Sequence, residues 1–394
     1  MSVARGDAVG LTRELVRVDS RNPSLVPGGA GEEKVARTLA DILSAWGFSV
    51  DVVDAAPGRP NVIARVGKRG ARTLMFNGHL DVVGTDGMVH APFDALERDG
   101  RMYGRGSCDM KAGVAAMCAA AVRAANEGLD GEIIVAAVAD EEYESLGTRA
   151  LIASGVRADA AIVTEPTGLA IMPAHLGFVW IDAVFEGHAA HGSRWDLGVD
   201  AIRHAGLFLA ELERYDAEVL TQRAHPLLGR PSVHASLIQG GSGMSTYPEQ
   251  CSLKIERRTI PGERPDDVVQ ELVALCDRVR PTLVRRGQEL RATIDATFAQ
   301  AASDVYVEAP IVRALGAALR ASGESERVAG MSAWTDAALL NGAGIPAICF
   351  GPGDISLAHA AEEYVPIGEI ERATRVLTTL AQTWCNGVEV AWRS

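Results

Sequence analysis

The first half of the chain alternates between uninterrupted apolar runs and segments with helical spacing. The apolar runs lie at 48–53, 61–66, 73–76, 133–139 and 160–163, and the helical segments lie at 33–46, 111–126 and 147–154. Uninterrupted runs rich in β-branched residues predict strands that are buried on both faces. Because these strands alternate with helices, the pattern predicts an α/β layer fold.

The middle of the chain follows a different pattern. Residues 177–186 alternate in period two, and the next segments predict a helix (199–214), two strands (232–239 and 250–257), a helix after Pro265 and a last strand (290–298). Strand–helix–strand–strand–helix–strand is the split βαβ, ferredoxin-like order. We therefore expect a small α+β lid domain at 178–300, inserted into a domain built from 1–177 and 301–394.

Composition excludes several classes of protein. The chain has 38 Lys and Arg against 51 Asp and Glu, a net charge of −13, which disfavours binding to nucleic acid. No apolar stretch reaches the length of about 18 residues that a membrane span needs. The six cysteines are scattered singly and the N-terminus lacks an apolar signal region, so a cytoplasmic protein with reduced thiols is expected.

Polar side chains that can bind metal follow the predicted buried strands. They are His79, the triplet Asp140–Glu141–Glu142, Glu165 and His359, with Asp109 in a glycine-rich loop before a helix. Each alone has an ordinary explanation, such as a helix N-cap for an aspartate or a solvated turn for a histidine. Together, two imidazoles and three carboxylates suit a pair of zinc ions that share one carboxylate. Glu141 is then left free as a base, and Asp81 can orient the His79 ring.

Five motifs, GHLDVV, GRGSCDMKAG, DEE, TEPT and AHAAEEYV, carry a family resemblance. The sequence resembles the co-catalytic zinc exopeptidase and deacylase family, which includes acetylornithine deacetylase, succinyl-diaminopimelate desuccinylase, aminoacylase and carboxypeptidase G. The resemblance runs from Ser20 to Val365 and implies a cis peptide bond after the bridging aspartate. It implies two zinc ions, one bound by His79 and Glu165, one by Glu142 and His359, with Asp109 bridging, Asp81 orienting and Glu141 as general base.

The resemblance also assigns residues of the inserted domain. His191 in the segment GHAAHGS aligns with a histidine that reaches the active site of the partner subunit, which implies a homodimer. The alternative for His191 is a surface histidine at a strand end. The predicted lid helix at 199–214 carries Leu207, Phe208 and Ala210, and we expect its exposed face to provide apolar surface for that dimer.

The family resemblance also implies which residues contact the substrate. Arg258 in ERRTIPG matches a family arginine that holds the substrate carboxylate, and a guanidinium suits that task because it binds carboxylate bidentately. Its neighbour Arg257 is interpreted as a strand-surface arginine. Ser245 stands where the family often has asparagine, and Gly351 is the last residue of the predicted short strand PAICFG. Both are predicted to contact substrate.

These assignments favour hydrolysis of an amide in a small, carboxylate-bearing molecule such as an N-acyl amino acid. Glu141 would take a proton from water and deliver it to the leaving nitrogen. Two alternatives remain: a carboxypeptidase or dipeptidase at the same site, and a non-catalytic metal-binding homologue. Cobalt or manganese could replace zinc. Trp334, where family members often have a small residue, and Ser245 prevent the transfer of a named substrate.

Overall fold

The computed structural model describes residues 3–70 and 72–387, which form two compact units. The second unit comprises Ala174–Asp304 and Gly330–Trp334, and the first comprises the rest. The second unit therefore extends a few residues beyond 178–300 at both ends. It also takes in a short segment that is distant in sequence.

The helices and strands follow the predicted order, with additional short elements. The helices are α1 (Ala8–Val16), α2 (Glu33–Ala45), α3 (Ala112–Glu127), α4 (Leu146–Ala153), α5 (Ala201–Glu218), α6 (Pro265–Val284), α7 (Pro310–Ala321), α8 (Ala337–Gly342) and α9 (Ile367–Cys385). The strands are β1 (Ser49–Ala56), β2 (Arg59–Gly67), β3 (Thr73–His79), β4 (Leu96–Arg98), β5 (Arg101–Tyr103), β6 (Glu132–Val138), β7 (Ala160–Val163), β8 (Ile171–His175), β9 (Gly177–Glu186), β10 (Ser232–Gly240), β11 (Gln250–Thr259), β12 (Arg291–Gln300), β13 (Ser303–Asp304), β14 (Val328–Met331), β15 (Ala347–Cys349) and β16 (Tyr364–Pro366).

The main sheet of the first unit has the strand order β1-β2-β6-β3-β7-β15-β8. Four neighbouring strands at its centre, β6, β3, β7 and β15, are parallel. Their carboxyl ends therefore lie along one edge of the sheet. In open α/β sheets the functional site is found beyond that edge.

Burial of the central strands agrees with their apolar sequences. Every residue of β6 is buried, and Leu74 and Phe76 of β3 are fully buried in a core that α3 and α9 also line. The prediction of two-sided burial is wrong for β1, whose residues are mostly exposed. β1 is the edge strand and pairs antiparallel with β2, so fewer elements cover it.

The second unit contains a four-stranded antiparallel sheet with the order β10-β11-β9-β12. Alternate residues of β9 and β11 share one core with the buried faces of α5 and α6. In β11 these inward positions include Leu253, Ile255 and Arg257. Arg257 is fully buried and donates to Glu263 Oε1 at 2.6 Å, so its interpretation as a strand-surface residue is wrong. Period two places Arg257 inward and Arg258 on the opposite face.

One residue of the predicted apolar surface on α5 lies in the core. Phe208 is fully buried and packs against the ring of Phe185, because it lies on the helix face that covers the sheet. Ile202 of the same helix is 44% exposed, and Leu237 of the edge strand β10 is 66% exposed.

Among the described residues, no helix combines the length and apolar character required to cross a bilayer.

Candidate metal centre

Three neighbouring parallel strands bring the predicted ligands together. His79 is the last residue of β3, Glu141 and Glu142 follow β6, and Glu165 follows β7. His79 and Glu165 are 1% and 3% exposed. Since β3 pairs with both β6 and β7, the three strand ends bring an imidazole and three carboxylates to one edge of the sheet.

Asp109 lies in a tight turn, Ser107–Lys111, immediately before α3. Its backbone is not helical (φ −119°, ψ 96°), and the peptide bond between Asp109 and Met110 is cis, as the resemblance implied. The carboxylate of Asp109 is directed at histidines instead of capping the helix, so the N-cap alternative is wrong. His79 Nε2 is 3.1 Å from Asp109 Oδ1, and His359 Nε2 is 3.4 Å from Oδ2.

Glu363 holds this turn in place. Its Oε1 accepts the backbone N–H groups of Cys108 and Asp109 at 2.9 and 3.1 Å, and its Oε2 accepts Arg105 Nη1 at 2.6 Å. The glutamate is fully buried. The motif AHAAEEYV contains Glu363, but the sequence alone does not indicate which of its two adjacent glutamates turns inward.

The remaining distances define two overlapping clusters of donor atoms. His79, Asp109 and Glu142 form one, and His79, Glu141 and Glu165 form the other, each with its atoms within 4.8 Å of one another. His359 Nε2 lies 2.9 Å from Glu142 Oε2. The residues predicted as ligands are therefore brought together by the structure, and Glu141, predicted as the base, lies among them.

Asp81 contacts His79 through its main chain. His79 Nδ1 is 2.9 Å from the Asp81 carbonyl oxygen and 3.7 Å from the nearer carboxylate oxygen. The Asp81 carboxylate accepts the N–H groups of Glu141 and Glu142 at 3.1 and 3.2 Å. Asp81 thus fixes the ring of His79 with one group and the acidic segment after β6 with another.

The electrostatics of the cluster follow from burial and mutual repulsion. Burial and the neighbouring Glu165 raise the pKa of Glu141 well above its usual value, and burial with Asp109 does the same for Glu165. Hydrogen bonds to Asp109 and Glu142 raise the pKa of His359 to about 10. Several carboxylates so close together are costly unless positive charge is placed among them.

The donor set fits divalent cations. With Nδ1 of His79 held by a carbonyl, Nε2 faces the carboxylates, which is the arrangement of a metal-binding histidine. Glu142 Oε1 is buried and, among the described residues, makes no hydrogen bond. Imidazole nitrogens mixed with carboxylate oxygens suit zinc. The cluster is therefore a candidate metal site.

His191 and Ser245, which are predicted to contact the substrate or the reacting atoms, lie in neighbouring segments of the second unit. His191 and Thr246 form an isolated bridge, and the N–H of Gly192 donates to the Ser245 carbonyl at 2.7 Å. His191 and Ser245 are exposed. The His191 ring is 2.8 Å from Ser193 Oγ through Nδ1, so its Nε2 faces away from that contact.

Arg258 lies on the outward face of β11 and is partly buried. Its Nη2 donates to the Ser332 carbonyl at 2.7 Å, and its guanidinium lies 5.5 Å from the centroid of the Phe178 ring. Burial lowers its pKa, while the neighbouring Glu256 opposes that change. The structure therefore pairs this arginine with groups of its own unit.

Gly351 packs directly against the chain that carries Glu165. A Cβ atom at this position would lie 2.6 Å from the Glu165 carbonyl oxygen, so no larger residue fits without movement. Its N–H donates to Thr167 Oγ1 at 3.1 Å, and its carbonyl oxygen accepts the N–H of Leu169 at 3.1 Å. This packing is separate from the predicted substrate contact, which stays a prediction.

Asp336 is a buried acid near the cluster, and no role was predicted for it from the sequence. Thr148 Oγ1 donates to its Oδ2 at 2.6 Å, and burial raises the pKa of Asp336 to about 6. The negative charge of Asp336 contributes to the raised pKa values of Glu141 and Glu165. The sequence shows only an acidic residue two positions after Trp334, and its burial is seen in the structure alone.

Comparison with known proteins agrees with this geometry. Residues 75–383 match the sequence profile of Peptidase family M20/M25/M40. Acetylornithine deacetylase of Myxococcus xanthus is 33% identical over 354 residues, which cover 88% of this chain and 90% of that protein. The N-formyl-4-amino-5-aminomethyl-2-methylpyrimidine deformylase of Bacillus subtilis (strain 168) is 28% identical, with 91% of each chain covered.

A solved structure shows the same fold. The Bacillus subtilis YXEP protein, described as a dinuclear metal binding peptidase from the M20 family, matches with a TM-score of 0.72 at 16% identity, covering 96% of this chain and 97% of that one. The predicted mixed α/β fold with an inserted α+β unit is confirmed. The chain belongs to peptidase family M20/M25/M40 and is an enzyme with metallopeptidase-type activity.

Proposed function

We propose that this enzyme hydrolyses the amide bond of an N-acyl amino acid or a related small amide that carries a carboxylate. The observation that carries the proposal is the position of Glu141. Its side chain is 10% exposed and lies 3.9 Å from His79 Nε2, beside the ligand atoms. Two relatives, named a deacetylase and a deformylase, support removal of an acyl group from nitrogen.

The residues assigned to metal binding divide into two sets around Asp109. We assign His79 and Glu165 to one cation and Glu142 and His359 to the other, with Asp109 shared. The 3.1 and 3.4 Å distances from the two Asp109 oxygens to the two histidines support this division. We propose zinc as the metal, with cobalt or manganese as substitutes. Divalent cations held there supply Lewis acidity, which polarises a carbonyl group and acidifies water.

The protein's own contribution to the reaction is proton transfer and charge stabilisation. Glu141 takes a proton from the attacking water and returns it to the leaving nitrogen, which departs as an amine. The ring of His191 stabilises the oxyanion that develops on the carbonyl oxygen. Arg258 binds the substrate carboxylate, and Ser245 and Gly351 complete the contacts to the substrate.

His191 is proposed to act in the active site of the partner subunit of a homodimer. The exposed Leu237 and Ile238 on the edge strand β10, at 66% and 59%, support association through the second unit. A two-fold symmetric dimer is the commonest solution for such a surface. Mixing inactive His191→Ala with inactive Glu141→Ala tests this, because one site of each mixed dimer then holds both wild-type residues. Activity that stays absent despite subunit exchange would place His191 in its own site or outside catalysis.

A substrate panel tests the reaction itself. The enzyme, loaded with zinc, cobalt or manganese, is assayed with N-acetyl, N-formyl and N-succinyl amino acids, dipeptides and longer peptides. We expect turnover of N-acyl amino acids. Cleavage of dipeptides or C-terminal residues alone would establish the carboxypeptidase or dipeptidase alternative. The Glu141→Ala variant, tested on the same panel, separates the enzyme's own activity from a contaminating hydrolase.

A further inference from the structure

A network of buried charged and polar side chains lies behind the segment that carries Glu141 and Glu142. Arg59, the first residue of β2, is 8% exposed, and Glu32 and Asp140 are fully buried. Arg59 Nη2 donates to Glu32 Oε1 at 2.6 Å and to Asp140 Oδ1 at 2.9 Å. One guanidinium therefore joins two carboxylates from distant parts of the chain.

Asp140 connects Arg59 and Glu32 to the segment that carries Glu141 and Glu142. Its backbone has φ +66°, a left-handed conformation that is uncommon for a residue with a side chain. Its Oδ2 accepts the N–H groups of Glu144 and Leu146 at 3.2 and 3.4 Å, and its own N–H donates to Glu32 Oε1 at 3.2 Å. The start of the turn is thus bonded to Arg59 and Glu32 through Asp140, and the Asp140 carboxylate holds the far end of the turn.

Asn22 joins the network to Asp81. Its Nδ2 group donates to Asp140 Oδ1 at 3.0 Å and to Asp81 Oδ2 at 2.8 Å, and its Oδ1 accepts Arg59 Nη2 at 3.2 Å. The Asp81 carboxylate in turn accepts the N–H groups of Glu141 and Glu142. Two chains of hydrogen bonds, through Asp140 and through Asn22 and Asp81, therefore run from Arg59 to the same segment.

Stability alone does not account for such a network. Burying an arginine and three carboxylates costs desolvation energy, and apolar residues of similar size are often as stabilising as buried ion pairs. Residues that hydrogen-bond to metal ligands without binding the metal, by contrast, orient those ligands. Their mutation typically lowers metal affinity or activity by about 10–100-fold. The contacts described here end on the backbone of the two residues whose placement matters most.

We propose that Arg59, with Glu32, Asn22 and Asp140, is a positioning group that sets the placement of Glu141 and Glu142. The inference rests on the proposed function, in which Glu142 binds metal and Glu141 transfers the proton. None of these four residues is assigned as a metal ligand or a substrate contact, and they act through the turn at 140–146 and through Asp81. Their removal is expected to change zinc affinity and kcat together, with little change in KM.

The test uses Arg59→Lys in the full-length enzyme. Lysine keeps the positive charge, but its single ammonium cannot reproduce the fork of contacts to Glu32, Asp140 and Asn22. We expect zinc binding to the metal-free protein, measured by calorimetry, to weaken about 10–100-fold, and kcat to fall by a similar factor. Arg65→Lys is the matched control on the same strand, where the arginine pairs with Glu132 at 3.5 Å, and it should leave both quantities unchanged.

Asn22→Ala provides a second variant if Arg59→Lys does not fold, because it removes a neutral side chain. Thermal unfolding of the metal-free proteins shows whether each variant is folded. Folded variants with zinc affinity and kcat within about twofold of wild type would overturn the proposal. If Glu141→Ala is fully active, the proposed function fails instead, while the zinc affinity of the Arg59 and Asn22 variants still reports on the positioning role.

Discussion

The two units differ in the burial of most of their candidate functional side chains, with the exposed His359 of the first unit and the partly buried Arg258 of the second as exceptions. In the first, His79, Asp109 and Glu165 are at most 8% exposed, and hydrogen bonds fix the segments that carry them. In the second, His191 and Ser245 are exposed, and the contact between their loops is made by the main chain. Buried ionic groups must be bonded and fixed, whereas exposed side chains can adapt to a ligand. We infer that the first unit carries the metal site and the general base, and that the second contributes substrate binding and stabilisation of the oxyanion.

The largest effect is expected from the first unit. Glu141→Gln keeps the shape of the side chain but cannot accept a proton, so kcat should fall by about a thousandfold. Metal content should stay at the wild-type level, because Glu141 is assigned as the base. Glu144→Gln, an exposed glutamate of the same turn, is the control and should be fully active. Near wild-type turnover by Glu141→Gln would remove Glu141 from the reaction.

In the second unit, His191→Ala should lower kcat by about a hundredfold, since one stabilising donor to the oxyanion is lost. Thermal stability and zinc content should be unchanged because the side chain is exposed. His188→Ala, in the same loop and also exposed, is the matched control. Equal losses in the two variants would show that the loop matters and that no particular histidine does.

A smaller effect, confined to substrate binding, is expected for Arg258→Ala. Loss of a charge-assisted hydrogen bond should raise KM for carboxylate-bearing substrates by about 10–100-fold. Substrates in which that carboxylate is replaced by a neutral amide should show little change, and zinc content should be retained. An equal rise in KM for both kinds of substrate would mean that Arg258 supports the structure without binding the carboxylate.

The smallest effect concerns acid stability and a buried histidine of the second unit. Burial lowers the pKa of His175 to about 4. In the unfolded chain it is about 6.5, so the unfolded state binds more protons between these values and stability falls as the pH falls through this window. Between about pH 6.5 and 5.5 the loss should be about 1 kcal/mol.

Urea unfolding at the two pH values measures this loss. His175→Gln should lose less stability than wild type over that interval, while the exposed His188→Ala should behave as wild type. An identical pH dependence in wild type and His175→Gln would show that His175 does not titrate as its burial indicates.

The sequence was most informative where local pattern decides structure. Helices α2 (Glu33–Ala45) and α4 (Leu146–Ala153) match the predicted segments 33–46 and 147–154 to within one residue at each end, and the apolar runs become β2, β3, β6 and β7. The same periodicity could have separated Arg257 from Arg258, because Arg257 shares its face of β11 with Leu253 and Ile255. The strand ends that gather the ligands follow from the parallel order of those strands.

The sequence was least informative about long-range polar contacts. Glu32, Arg59 and Asp140 are far apart in the chain, and no spacing rule indicates that one guanidinium joins them. Asp81 illustrates the same limit at short range. The His-x-Asp pattern predicts that Asp81 orients His79, but only the structure shows that the carbonyl does so while the carboxylate holds Glu141 and Glu142.

The most direct test of the central claim is anomalous diffraction at the zinc absorption edge, using crystals of the zinc-loaded enzyme. The claim is that five side chains hold two cations and that Glu141 remains free to move a proton. We predict two peaks on either side of Asp109, one next to His79 and Glu165 and the other next to Glu142 and His359. A single peak, or zinc bound directly by Glu141, would contradict this account.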